Sequence, residues 1–343
     1  MLVVVAHNSF LLPDIWGAHI PGGLGVDIIF IISGFIMTFI THRPTETPVQ
    51  FIAKRSFRIW PVLFVTWLIS YLFVYPVKAF DQMACTLYFC LLDYSLAAPT
   101  FGYSTLGPAW TLSYEVMFYL IFSISMAISH RYRSSVCTLI LVACSVGFQL
   151  YYNKHFDFSS QASPNLTVIH WWQAWIKIVS NTIFFEFVAG MALAKLVLSE
   201  KLPELTPLER NVMVLLLALA VVLACVIGPQ VLGLSGGFWL ASVSMVAVIT
   251  LSHRSARRGI RALVFLGDIS YSLYLVHYPL ILFLTHLIPE DAPPAERAGM
   301  FLLSITASIA IASALFKWIE KPSINAGKKI ARALSRRPMP YTS

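Results

Sequence analysis

Charge is what this sequence has least of. Asp, Glu, Lys and Arg together make up 12% of its 343 residues, about half the share of a soluble domain. Hydrophobic residues make up 58%, and no polar stretch is long enough to cover a water-facing domain. A soluble globular protein is therefore excluded, and lipid is the expected solvent. Acidic residues are scarcer than basic ones, 16 against 24, for a formal net charge of +8. With no soluble basic domain to carry it, nucleic-acid binding is excluded. The excess reads instead as a topology signal in short loops. Cysteine is also sparse. Cys85, Cys90, Cys137, Cys144 and Cys225 are odd in number, sit in apolar stretches and lack metal-ligand spacing, so neither a disulfide framework nor a metal site is expected. A basic leader with a small-residue cleavage site is missing too. The apolar run begins directly after Met1, so the first span reads as shortened at its start.

What is present is a series of apolar runs. A helix needs about 20 mainly apolar residues to cross a bilayer. Candidate spans fall at 1–12, 24–41, 57–75, 110–129, 135–151, 172–197, 210–228, 236–252, 262–286 and 298–317. The expected fold is all-α and polytopic, with about ten transmembrane helices. Basic clusters at Arg43/Lys54/Arg55/Arg58, Arg131/Arg133, Arg254 to Arg261 and Lys321 to Arg337 fall on one side if segment 82–96 does not cross. The positive-inside rule makes that side, and both termini, cytoplasmic. Segment 82–96 then becomes a short outer-face or re-entrant helix. Residues 1–322 form the membrane domain, and 323–343 a basic cytoplasmic tail on the inner leaflet. The expected location is a cell inner membrane.

The chemistry is carried by polar residues inside the spans, where each ionisable group costs about 2.5–3.5 kcal/mol to insert. His7 lies in the first span beside Asn8 and Ser9, and a neutral imidazole can act as a general base. Its bland alternative is a buried histidine satisfied by a hydroxyl. Asp27 follows the run Gly22-Gly23-Leu24-Gly25-Val26, whose glycines allow close backbone approach; a structural ion pair is the alternative. Arg55 and Arg58 are three apart and share a helix face, where both could fork onto a phosphate. Snorkelling arginines at a helix end would look the same. Trp110 to Tyr119 opens the fourth span, and Trp110 also suits an interfacial anchor. There Glu115 and Tyr119 lie four apart, at the depth where a sugar hydroxyl would enter. In the ninth span Gly267, Ser270, Tyr274 and His277 form one polar stripe, which interhelical hydrogen bonding alone could also explain. Glu320 is expected to pair with Lys317 or Lys321.

Taken in order, these segments resemble the membrane-bound acyltransferase family 3, whose members O-acylate surface and exported polysaccharides and lipochitin signals. The resemblance rests on Gly25-Val26-Asp27-Ile28-Ile29-Phe30-Ile31-Ile32-Ser33-Gly34-Phe35, Lys54 to Pro61, Trp110 to Tyr119, Gly267 to Pro279, and Trp318-Ile319-Glu320-Lys321-Pro322. The compact length without an appended esterase-like domain is most similar to its exopolysaccharide acetyltransferases. The resemblance implies acetyl-CoA or another acyl-CoA as co-substrate from the cytoplasmic side, no permanently bound cofactor, and a carbohydrate acceptor. It implies His7 as the catalytic base and Arg55 and Arg58 as the coenzyme A phosphate site. Ser33, Ser113, Glu115, Tyr271 and His277 match motif positions lining a central cavity, and Trp110, Tyr119 and Ser270 join them as candidate substrate contacts. Asp27 or Glu115 would orient the His7 imidazole in this reading. An arginine usually precedes the first-span histidine by about ten residues in the family, whereas this sequence starts six residues before His7. A proton-coupled transporter of glycans or acyl groups is the rival function class, because intramembrane Asp, Glu and His also mark transport.

Overall fold

The structure is a computed structural model that describes residues 1–12, 20–74, 85–88, 98–100, 106–170, 172–199, 206–227, 233, 234, 236–252, 261–289 and 292–335. Among these residues there is no β-strand. The helices are α1 (Leu2–Asn8), α2 (Gly22–Ile40), α3 (Pro48–Phe73), α4 (Trp110–Ile128), α5 (Arg133–Asn153), α6 (Gln173–Val179), α7 (Phe184–Leu198), α8 (Pro207–Ile227), α9 (Gly237–Ser252), α10 (Arg261–Asp268), α11 (Ser270–Thr285), α12 (Pro294–Leu315) and α13 (Lys321–Ser335). Helix α12 runs through a π-helical turn, Phe316–Glu320, into α13.

Five described helices are long and apolar enough to cross a membrane: α2, α3, the helix containing α4, α5, and the continuous rod from Pro294 to Leu334. The pair α6 and α7, bent by 51°, makes a sixth. Side chains such as Leu72, Phe73, Leu139 and Leu302 are exposed on them, as lipid requires and water does not. The protein is a multi-pass membrane protein. The spans expected at 1–12 and 262–286 are shorter: Leu2–Leu11 is one apolar helical stretch, and the other is broken into α10 and α11. Of segment 82–96 only 85–88 is described. It is a 3₁₀ turn whose Leu87 carbonyl accepts from Trp60 Nε1 at 3.0 Å; the rest lies outside the described residues.

Helix α2 is the centre of the bundle, packed on α1, α7 and α9. Its contact with α7 is made backbone to backbone. A Cβ on Gly34 would lie 2.1 Å from the Phe187 carbonyl oxygen, and one on Gly190 would lie 2.0 Å from that of Ile31. Small residues at such a crossing let the axes close to contact distance, which is how helices associate without a hydrophobic drive in lipid. Around the crossing an aromatic core forms, with Phe118 and Phe30 centred 4.4 and 4.9 Å from Phe187.

Polar residues tie the helix ends. Thr47 and Gln50 form a capping box across Pro48, the pattern that satisfies orphan N–H groups at a helix start. Arg133 is buried beneath the end of α2, donating to Thr41 Oγ1 at 2.7 Å and to the Thr38 carbonyl at 2.9 Å. It therefore caps a helix rather than serving as a free loop charge. Residues 323–335, expected as tail, are helical and packed on α3: Ser323 Oγ donates to the Phe57 carbonyl at 2.5 Å, and Gln50 Nε2 to that of Ala331 at 2.9 Å. Glu320 takes Ser272 Oγ at 2.6 Å rather than a lysine, because the π turn rotates it into the bundle with 1% exposure.

The crossing yields a first prediction. Gly190→Val should destabilise the protein at or above the top of the usual overpacking range of about 1–3 kcal/mol, because backbone blocks the space. Gly299→Ala, whose Cβ meets nothing within 4 Å, should be neutral or slightly stabilising. Thermal unfolding of the two detergent-purified variants checks the contrast.

Candidate active site

Nine of the twelve candidate residues line two adjoining cavities. The first, about 450 Å³, lies between α2, α3, α4, α10 and α11, and its walls include Ser33, Arg55, Arg58, Glu115, Tyr119, Ser270 and Tyr271. Seven candidate residues from four separated segments thus meet around one space. The spacing of three does place both guanidinium groups on the cavity face of α3. Lys54, next to them in sequence, turns instead to Glu46 at 3.1 Å. Among the described residues neither Arg55 nor Arg58 is within ion-pair distance of a carboxylate. Arg55 also lies over the Phe51 ring, 5.7 Å from its centroid, and two guanidinium groups in one cavity wall have the chemistry to receive an anion.

Opposite them, Glu115 is held in place. Ser33 Oγ donates to its Oε1 at 3.2 Å, and the Tyr119 hydroxyl donates to the same oxygen. Tyr271 donates to the Ile59 carbonyl at 2.8 Å, fastening α11 to α3 beside the arginines. Glu115 therefore belongs to the arginine cavity and makes no contact with the imidazole of His7.

The second cavity, about 430 Å³, is lined by His7, Trp110, Pro108, Thr100, Tyr274 and Tyr278 among others. Tyr274 is common to both. Its hydroxyl lies 2.8 Å from Thr111 Oγ1 and donates to the Pro108 carbonyl at 3.0 Å, so the ring is fixed where the two spaces adjoin.

His7 Nδ1 lies 2.9 Å from His277 Nε2, with the rings stacked at 20°. The bonding pattern assigns the tautomers. His277 Nδ1 faces the Leu273 carbonyl at 3.1 Å, and a carbonyl only accepts, so Nδ1 carries the proton. In a neutral ring Nε2 is then an acceptor, and His7 Nδ1–H must be its donor. What remains is the lone pair on His7 Nε2, in a residue that lines the cavity. A ring held this way is set up to take a proton rather than to give one.

Asp27 is placed elsewhere. It has no exposed surface, accepts the Gly233 N–H at 3.0 Å and sits beside the equally buried Glu186 of α7. It ties α2 to residue 233, and the expected contact with the imidazole is not made. The imidazole's hydrogen-bond partner is His277 instead, 270 residues away in the chain. Ser113 is buried in α4 and lines neither cavity. Sequence reasoning missed Thr111 and Tyr278. Tyr278 directly follows His277 within the Gly267 to Pro279 segment, and that position was its signal. Its ring meets His7 edge-on at 5.3 Å.

Comparison with known proteins places the chain in a family. The chain is 28% identical to the exopolysaccharide production protein ExoZ of Rhizobium meliloti, over 90% of this chain and 91% of that protein. It is 25% identical to the acyltransferase MdmB of Streptomyces mycarofaciens, over 86% and 78% respectively. With the peptidoglycan O-acetyltransferase OatA of Listeria monocytogenes it shares 24% identity over 94% of this chain, which spans about half, 54%, of that longer protein. No solved structure matches. The family model described as "Acyltransferase domain" matches residues 1–315, so the chain belongs to that acyltransferase family and is an enzyme that transfers acyl groups.

Proposed function

We propose that the protein moves an acetyl group from acetyl-CoA to a hydroxyl of a surface or exported carbohydrate. The observation that carries this reading is the pairing of the two cavities: an arginine-lined one and an imidazole-lined one, adjoining at Tyr274. The names of the relatives, an exopolysaccharide production protein and a peptidoglycan O-acetyltransferase, support a carbohydrate acceptor. In this reading Arg55 and Arg58 take the coenzyme A phosphates, and the thioester end extends toward Tyr274. The topology that suits it has ten crossings, both termini cytoplasmic and the arginine cavity facing the cytoplasm, in a cell inner membrane.

The proton accounting is direct. The acceptor hydroxyl gives its proton to His7 Nε2 while its oxygen attacks the thioester carbonyl carbon. The tetrahedral intermediate collapses, the C–S bond breaks, and His7 returns the proton to the leaving thiolate. Between these events His7 is an imidazolium whose Nδ1–H is already donated to His277 Nε2, so the positive charge forms against a pre-placed lone pair. Transfer through an acyl-His7 intermediate would use the same nitrogen as nucleophile.

Radiolabelled acetyl-CoA added to membranes with a glycan acceptor tests the assignment. Label in the glycan is expected, and glycan or acetyl movement across the membrane without covalent transfer would mean a transporter. His7→Ala should lower transfer about 10²- to 10⁴-fold in protein that still inserts normally. His277→Leu removes the acceptor for the Nδ1–H and should cost about 10-fold or more, the scale of a hydrogen bond to a charged group. His277→Gln offers a carbonyl in its place and should recover part of that loss, with the acetyl-CoA KM unchanged in both. Arg55→Ala and Arg58→Ala should each raise the acetyl-CoA KM about 10- to 100-fold and leave the acceptor KM alone; initial-rate kinetics in both substrates separates these effects.

A further inference from the structure

The imidazole cavity differs from its neighbour in one respect that defines what it can hold. Among the described residues lining it, none is acidic, lysine or arginine. Its polar groups are the His7 ring, the indole of Trp110 and the hydroxyls of Tyr274, Tyr278 and Thr100, and Gly22, Gly23 and Gly107 also line it. The rest is aromatic face and small aliphatic. A space of about 430 Å³ is within the range of small-molecule sites.

A glycine builds this wall. A Cβ on Gly107 would lie 2.5 to 2.8 Å from three atoms of the Tyr278 ring. Only the missing side chain lets Tyr278 lie on the turn that leads into α4. In that seat the ring stands at 72° to His7, and Trp110 follows three residues after Gly107 in the same wall. Aromatic walls with hydroxyl and N–H groups at their edges suit one class of ligand well. A sugar ring has apolar C–H faces that pack on aromatic rings and a rim of hydroxyls that seek such edges. A charged acceptor buried here would find no opposite formal charge among the described lining residues.

We propose that this cavity is the acceptor subsite, that it seats one uncharged hexose ring against Tyr278 and Trp110, and that it discriminates against acidic sugars. The proposal rests on the acyl-transfer reading above and adds where the acceptor lies and which class it belongs to. Tyr274 then separates the uncharged ring on one side from the anionic donor on the other. One hydroxyl of the seated ring reaches His7 Nε2, and the proton follows the path already given.

The test is steady-state acetyl transfer by the purified full-length protein, using a neutral hexose oligosaccharide and its hexuronate counterpart. The neutral acceptor should be used at least about 10-fold more efficiently, the factor that about 1.4 kcal/mol represents. Tyr278→Leu should raise the neutral-acceptor KM about 3- to 10-fold, the scale of one aromatic contact, with the acetyl-CoA KM within about twofold of the parent. Gly107→Ala, which drives the Tyr278 ring from its seat, should raise the same KM. Binding of acetyl-CoA to each variant reports that it is folded. An unchanged acceptor KM in variants that still bind acetyl-CoA, a rise in the acetyl-CoA KM instead, or equal use of the hexuronate would overturn the subsite. If the unaltered protein acetylates neither oligosaccharide and no other glycan, the failure belongs to the acyl-transfer reading itself.

Discussion

The bundle depends on the place where α2 and α7 touch without side chains between them. In lipid no hydrophobic drive pulls helices together, so affinity comes from close packing and from polar groups that find partners. Gly34 and Gly190 each put bare Cα against the other helix's carbonyl, and this closeness fixes the rotation of α2. Rotation in turn decides which residues of α2 face where. Ser33, the neighbour of Gly34, enters the arginine cavity and reaches Glu115, and Asp27 turns toward Glu186 and Gly233. A helix free to rotate by one residue, about 100°, would exchange these destinations.

From that fixed helix the site is assembled by long-range hydrogen bonds. Tyr271 ties α11 to α3, Tyr274 ties it to the start of α4, and His277 ties it to α1. All three lie on α11 within two turns. Helix α11 thus carries the register of the whole site. The break at residue 269, between α10 and α11, frees this short helix from the direction of the segment before it. The polar stripe of Gly267, Ser270, Tyr274 and His277 is shared between the two cavities accordingly: the first three line the arginine cavity, and the last holds His7.

Much of this was legible from residue type and spacing alone. Arg55 and Arg58 had to share a face, Glu115 and Tyr119 had to be neighbours one turn apart, and bulk hydrophobicity settled the environment. Periodicity could not tell which of several buried acids meets which base. His7 and His277 are 270 residues apart, and the choice of His277 over Asp27 as the imidazole's partner depends on helix rotation set by packing. The same holds for Glu320, which a one-residue π insertion redirects from lysine to Ser272. Tyr278 escaped notice because its role depends on a glycine at 107, in a different segment. Apolar runs also say where a chain can enter lipid more readily than where a helix bends, so the break at 269 and the 51° bend between α6 and α7 were outside their reach.

The arrangement also explains why the imidazole and the arginines need separate spaces. Beside two guanidinium groups, a histidine would resist taking up a proton, because a second positive charge would form against existing ones. Glu115, held by Ser33 and Tyr119 inside the arginine cavity, offsets part of that positive field on the arginine side. Tyr274 keeps the imidazole beyond it, next to a wall whose described residues carry no formal charge. Under that constraint the neutral ring of His277 is a better partner for His7 than a carboxylate would be. It fixes the tautomer and accepts the Nδ1–H hydrogen bond without holding His7 permanently charged. In the proposed mechanism, a base that must both take a proton from a hydroxyl and surrender it to a thiolate is best served by a partner that orients it while adding no charge of its own.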